Sequence, residues 1–315
     1  MNSQGSHYIL RKGLSSLSDL VDGNGAFGYP GDYPGLIFYV NNITGSTTND
    51  GLSWAFPKAQ ISQAIAAAEA GRPSVRAGSN DFVRNIIFVQ GTSTAYTVLT
   101  ALPNYCDIIG VGADPRGNGS GIARLTSTTG VNTTDDSITA GVRGLRLYNL
   151  QFGGSGTGWG LSCTTLFRSV IENCAFVNKT TGGILLTTGG GNEIRNCHIG
   201  GDTSYPAIGL QMGNSGGNAN QCLVEDNFIY GSTTGVSVSA YLCDHTVFRN
   251  NTIYGGTTGL SDTCTDSTLA ANAFYSGNFL LGGSAAYSIT NNGAKRCTAN
   301  RCNSNGTGTV YVTSS

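Results

Sequence analysis

Val170-Ile171-Glu172-Asn173-Cys174-Ala175-Phe176 and, 23 residues on, Glu193-Ile194-Arg195-Asn196-Cys197-His198-Ile199 are one pattern written twice. In each, an apolar residue is followed two places later by Asn-Cys and five places later by a second apolar residue. The same phrase, apolar-x-Asn-(Cys/Asn)-x-apolar, runs from Leu147 to Phe152, Val224 to Ile229, Phe248 to Ile253 and Leu269 to Phe274, with Asp226 and Ala271 standing for the first Asn and Leu150 for the Cys/Asn. Its fourth position, used as a ruler, falls at Leu150, Cys174, Cys197, Asn227, Asn251, Asn272 and Cys297, in steps of 24, 23, 30, 24, 21 and 25 residues. A period of two dozen residues with variable insertions is the mark of a solenoid whose loops lengthen at one corner.

A second series keeps step with the first: Gly160-Leu161, Gly183-Ile184, Gly209-Leu210, Gly235-Val236 and Gly259-Leu260. Two ladders in one coil require two strands, and the third side is expected near Leu166–Val170. Coils that lay their strands on one another about 4.8 Å apart stack like residues on like residues, which is why the sequence repeats. The expected architecture is all-β: a right-handed single-stranded parallel β-helix, three-sided, with about 24 residues per coil. First and sixth positions of the phrase should point inward, and the Asn/Cys column should line a corner where Asn tolerates unusual backbone angles and bonds neighbouring coils. Hexapeptide left-handed helices are excluded by the longer period.

The second position reads Glu172, Arg195, Glu225, Arg249, an alternation that predicts an external ion-pair ladder, weak at about 0.2–1 kcal/mol per exposed pair. Cys222, Cys243 and Cys264 recur at 21-residue steps and predict a second thiol column of small buried residues.

Upstream, Asn85–Gly91 and Asp107–Gly112 read as buried strands ending at Gly turns. Ile61, Ala64, Ile65 and Ala68 fall at helical spacing between Pro57 and the stop signal Gly71-Arg72-Pro73, which predicts a short helix capping the first coil. The expected division is a non-repeating attachment segment, 1–35, with a Gly/Tyr/Pro-rich run from Gly23 to Gly35; an opening strand, loop and capping helix, 36–84; and the β-helix, 85–315.

Charged residues make up 11% of the 315, Gly 47, and Lys and Glu only four each, a composition for tight turns rather than helices. A net charge of −1 without a basic cluster argues against nucleic acid, and no run of 18 apolar residues argues for membrane insertion. The opening residues Met1 to His7 lack the basic-then-apolar order of a signal peptide, so synthesis in a cytoplasm and free thiols for the nine cysteines are expected.

The stretch Phe38-Tyr39-Val40-Asn41-Asn42, then Gly45, Asn49-Asp50-Gly51-Leu52-Ser53-Trp54 and Pro57-Lys58-Ala59-Gln60-Ile61-Ser62-Gln63-Ala64-Ile65 resembles the opening segment of pectin-lyase-like β-helix proteins. With the repeats, the resemblance covers about residues 36–302 and is specific for fold rather than activity. The superfamily includes pectate lyases, polygalacturonases and the tailspikes, fibres and appendages of bacteriophages. A segment ahead of the solenoid and no leader are more similar to the phage arrangement. That arrangement implies attachment to other virion proteins through the N-terminus, association as a homotrimer, and a place in the virion, as capsid decoration, fibre or spike.

Catalysis needs more than the sequence offers. Glycoside hydrolysis uses two placed carboxylates; Asp135-Asp136 is the adjacent acidic pair, and it reads as a turn because the companion Asn-Thr-Asp, Gly-His-Gly and Arg-Ile-Lys motifs of polygalacturonase-like enzymes are absent. Lyases of this fold want clustered acids for calcium, but among Glu172, Glu193, Glu225 and Asp226 stand Arg195 and Arg249. His198 and His245 fall at different coil positions without an acid-base partner. No residue is therefore assigned a catalytic, cofactor or metal role. The leading expectation is a non-enzymatic virion protein; the alternatives are a polysaccharide lyase or glycoside hydrolase, and a glycan-binding adhesin without cleavage, each touching host-surface polysaccharide.

Overall fold

The structure, a computed structural model, describes residues 33–70, 83–97, 99, 101–126, 130–133, 142–154, 156–201, 204–213, 217–239, 243–264, 273–289 and 296–302. The described strands form three parallel sheets, A, B and C, that the chain visits in the order A, C, B within each coil. Sheet A starts with Tyr33–Val40 and Val83–Gln90, takes in Cys106–Val111, and ends at Arg296–Thr298. Sheet C runs from Tyr96–Thr97 to Arg301–Cys302, and sheet B from Gly130–Thr133 to Ala285–Ile289. Most of the attachment segment, and Gly71-Arg72-Pro73, lie outside the described residues.

The repeated phrase is itself two strands and the corner between them. Ile171, Ile194, Val224 and Phe248 pair in succession in sheet A, while Phe176, Ile199, Ile229 and Ile253 pair in sheet C. The turn between is made by the third position alone, held at positive φ: Asn149 54°, Asn173 51°, Asn196 50°, Asp226 55°, Asn250 55° and Gly277 64°. Asn, Asp and Gly enter this left-handed region most readily, which explains the choice of residue. The second ladder, Leu161, Ile184, Leu210, Val236 and Leu260, is sheet B. The third side was hidden inside the phrase, and Leu166 belongs to the tail of the sheet B strand Trp159–Phe167.

The fourth position bonds coil to coil. Cys174, Cys197, Asn227 and Asn251 occupy one axial row, as the ruler requires. Asn227 Oδ1 accepts from the Cys197 amide at 2.9 Å, and Asn251 Oδ1 accepts from both the Asn227 amide and Asn227 Nδ2 at 3.0 Å. Each Asn also donates Nδ2 to the first-position carbonyl of the coil before, as Asn227 does to Ile194 and Asn251 to Val224, both at 2.9 Å. The row continues through Asn278 and Asn300. This corrects two positions. Val247 pairs with Phe274 and Phe248 with Tyr275, so the sixth copy is Tyr275 to Leu280; Leu269 and Asn272 lie outside the described residues. Cys297 pairs with Tyr275, so Asn300 is the next mark on the ruler.

The Cys222, Cys243 and Cys264 column does not form. Cys222 follows a second left-handed corner, Arg168, Gly191, Gln221 and His245, and its row is Ser169, Asn192 and Thr246. Cys243 lies two residues before His245, out of that row; the 21-residue interval is a coincidence of loop lengths. All three cysteines are buried all the same.

First and sixth positions face a single continuous core, from Phe38 and Ile87 through Ile171, Ile194 and Val224 to Tyr275, with Phe152 and Phe176 stacked at 4.9 Å. Ile194 is 1% exposed, so Ile194→Ala should lower the unfolding free energy by about 2–5 kcal/mol through lost burial and the cavity left; a urea titration measures it. The helix α1, Ile61–Ala70, buries Ile61, Ala64, Ile65 and Ala68 against that same core, as its spacing predicts. Its start is closed by Gln63, whose Oε1 accepts from the Gln60 amide at 3.1 Å.

Cys106, Cys163, Cys174, Cys197, Cys222, Cys243, Cys264 and Cys302 form no disulfide. Burial pushes the Cys197 thiol up to about 12 and raises those of Cys174 and Cys222. The thiol form is thus the one the fold holds. Its contribution to stability is complete below the ordinary cysteine range and is lost as pH rises toward about 12. In native protein at pH 8, a thiol-specific reagent should leave Cys174, Cys197 and Cys222 unmodified and label exposed Cys302; peptide mapping before and after urea reads this directly.

Candidate functional site

Each sheet turns one side to the core and one outward, so the outward side chains form columns along the axis. Sheet B presents Ser162, Leu185, Gln211, Ser237, Ser261 and Ser288 in one such column, a polar face without an acid. The acid that does occur in this sheet, Asp262, faces inward in line with Val238. It is fully buried, accepting from Tyr275 Oη at 2.7 Å and from the Cys264 amide at 3.0 Å.

Sheet A carries the predicted charge ladder, with Glu172, Arg195, Glu225 and Arg249 in register. The pairs close two by two: Arg195 meets Glu172 at 3.0 Å and Glu193 at 3.1 Å, and Arg249 meets Glu225 at 2.6 Å. Above them the column turns apolar, through Tyr148, Ile109, Phe88 and Tyr39, on which Trp54 rests at 4.8 Å. Burial raises the Tyr148 phenol, with Asp107 adding to it. Asp107 is itself buried between Arg84 at 2.7 Å and Arg146 at 3.7 Å. Every carboxylate on this outer face therefore confronts an arginine rather than a second acid. Because Glu172 and Arg195 are both partly exposed, Glu172→Gln should shift the urea midpoint by no more than about 0.2–1 kcal/mol equivalent, shrinking in high salt.

Sheet C holds what the repeat did not announce. Its outer face has two columns, the fifth and seventh positions of the phrase. The fifth-position column reads Arg124, Gln151, Ala175, His198, Phe228, Thr252, Phe279, Arg301. Beside Phe228, Thr252 and Phe279 stand Tyr230, Tyr254 and Leu281. Phe228 is 43% exposed and Phe279 42%. His198 stacks on Phe228 at 5.1 Å, Tyr230 stacks on Tyr254 at 4.6 Å, and Tyr205 leans against Tyr230, tilted by 40° at 4.4 Å. Burial, then the neighbouring tyrosines, raise the Tyr230 phenol. Aromatic residues displayed together on a rigid face are the composition of a binding surface rather than of a solvated one.

The other residues weighed in the sequence are scattered. His198 belongs to sheet C, while His245 is a corner residue whose Nδ1 lies 2.7 Å from Asp244. Asp226 is likewise a corner residue, and Asp135-Asp136 lie outside the described residues. Among the described residues no three His, Cys, Asp or Glu side chains cluster to hold a metal ion. Nor is any helix among them long and apolar enough to cross a membrane.

No protein-family profile matches the sequence, and no curated relative is similar to it. Solved structures are. A pectin methylesterase from Aspergillus niger superposes with a TM-score of 0.51 at 14% identity, covering 91% of this chain and 93% of that one. A pectate lyase superposes with a TM-score of 0.47 at 13% identity, covering 90% and 81%. The fold is a right-handed parallel β-helix. At such identity the likeness speaks for architecture, and the activity has to be argued from this chain's own surface.

Proposed function

We propose that the chain is a non-enzymatic structural protein of a bacteriophage virion, a capsid decoration, fibre or spike. In this reading a rigid β-helix projects from an attachment segment at residues 1–35, associates as a homotrimer and touches host-surface polysaccharide. The observation that carries the reading is the pairing on sheet A. Asp107, Glu172, Glu193 and Glu225 each meet an arginine, Glu172 and Glu193 sharing Arg195, so the acids of sheet A are held in ion pairs instead of forming the carboxylate pair that glycoside hydrolysis uses. An unbroken core from Phe38 to Tyr275 supports a part whose work is mechanical.

The test has two arms. Mass spectrometry of purified particles from cells carrying the gene should detect the protein, and light scattering of the purified chain should give the mass of a trimer. Absence from particles together with a monomeric mass overturns the proposal. Incubation with acidic and neutral glycans should release neither reducing ends nor unsaturated uronates; release of either would assign the chain to the polysaccharide-cleaving enzymes instead.

A further inference from the structure

We infer that the outer face of sheet C, over the heights of His198 to Phe279, is the surface that three copies of this chain present to a common axis parallel to the solenoid. This rests on the homotrimer proposed above and names the side of the coil that builds it. On the opening side of His198 the face is already covered. Gln151 donates Nε2 to the carbonyls of Pro115 and Gly117, which draws that loop over the column, and Gln151 and Ala175 are both buried. Beyond His198 the same column lies open, with Phe228 and Phe279 exposed and Tyr205, exposed as well, leaning on Tyr230 beside them. The rings are packed on one another rather than loose, His198 on Phe228 and Tyr230 on Tyr254. Removing such a patch from water is favourable, and contiguous patches of this kind mark surfaces that meet another molecule.

Symmetry and charge select the occupant. Rotation about an axis parallel to the solenoid keeps every residue at its own height, so each side chain at the centre of the contact meets its own copies. Sheet A cannot meet itself in this way: Glu172, Arg195, Glu225 and Arg249 stand at four successive heights, and rotation would set like charge beside like. The outward column of sheet B is neutral but hydrophilic over Ser237, Ser261 and Ser288, and its burial gains little. Sheet C is both uncharged and largely aromatic at the same three heights, with Phe228, Thr252 and Phe279 in one column and Tyr230, Tyr254 and Leu281 in the next. Its charges lie at the margins. Arg301 follows Phe279 in the column, and exposed Asp226 sits at the corner before Phe228, where it acts on Arg249 of sheet A. Asp114, whose charge reaches His198, is bound to Arg116 at 2.7 Å. An apolar centre with a charged rim is the anatomy of a contact between protein chains.

The test uses the purified full-length chain. Light scattering of wild type should give the mass of three chains. Phe228→Glu, which brings three carboxylates together at one height, should give the mass of one chain with an unchanged circular dichroism spectrum. Ser237→Glu, the same charge placed on sheet B, should leave the trimer intact. A second measurement does not depend on breaking the assembly. With Cys302→Ser as background, Thr252→Cys should become a disulfide-linked pair of chains when oxidised by air and copper phenanthroline, whereas Ser237→Cys and the background alone should not. A wild-type monomer overturns the homotrimer and this surface with it. A wild-type trimer that persists in Phe228→Glu and gives no link through Thr252→Cys overturns the surface alone, and a link through Ser237→Cys instead assigns the contact to sheet B. A Phe228→Glu trimer that no longer enters particles also overturns it, because the face would then belong to another virion protein.

Discussion

Replacing Asn251 with Leu should lower the unfolding free energy by about 3–6 kcal/mol, a large effect for a change that nearly conserves volume. Asn251 is 1% exposed and holds four side-chain bonds at once. Its Oδ1 accepts from the amide and the Nδ2 of Asn227; its Nδ2 donates to the Val224 carbonyl and to Asn278 Oδ1. Leu fills the space and satisfies none of these. Two or three buried polar groups on neighbouring coils then lose their partners, each at about 1–3 kcal/mol. A urea titration followed by circular dichroism would show it, and a loss below about 1 kcal/mol would mean that the row is decoration.

The reverse change provides the sign check. Cys197 stands in the same row, and its Sγ points at the Ile171 carbonyl at 3.6 Å, the place where Asn251 puts an amide nitrogen. Cys197→Asn should extend the ladder by one rung and raise the urea midpoint by about 0.5–1.5 kcal/mol equivalent.

The same row shows how far the sequence could be read. Where coils keep similar lengths, like residues stack, and the register of Ile171, Ile194, Val224 and Phe248 could be taken from spacing alone. It failed where one coil lengthened: the step from Asn251 to Asn278 is 27 residues, and a ruler set near 24 landed on Asn272 instead. The third side escaped notice because a single left-handed Asn turns the chain by a full corner, leaving no loop to separate the strands on either side. The sheet C face was harder still. Its column mixes His198, Phe228, Thr252 and Phe279, which share no residue type, since solvent places no common demand on outward side chains. A signal was present nonetheless: at the fifth position of the phrase Phe228 and Phe279 stand two coils apart, and at the seventh Tyr230 and Tyr254 stand in adjacent coils.

Gly209→Val should prevent the protein from folding to a soluble state, or lower its stability by at least about 3 kcal/mol. Gly209 belongs to the glycine series that marks sheet B, and the reason for that series is close approach between coils. A β-carbon at Gly209 would fall 2.6 Å from the Gly235 carbonyl oxygen, 2.6 Å from Ile229 Cγ2 and 2.9 Å from the Tyr230 carbonyl oxygen. Gly183 is closed in the same manner by Ile199 Cγ2 at 2.3 Å and the Gly209 oxygen at 2.5 Å. Two of the three atoms around Gly209 are backbone, so relief requires moving a coil rather than turning a side chain. The series ends where the constraint does. Ala286 takes the glycine's place in Ala285–Ile289, which closes sheet B and has no further described strand stacked on it. A matched control is Gly119→Val, where no atom lies within 4 Å of the new β-carbon and the change should stay within about 0.5 kcal/mol. If soluble expression and urea midpoints of the two variants proved alike, the glycine column would have to be explained by chain flexibility, and the tight sheet B packing behind the coil register would lose its support.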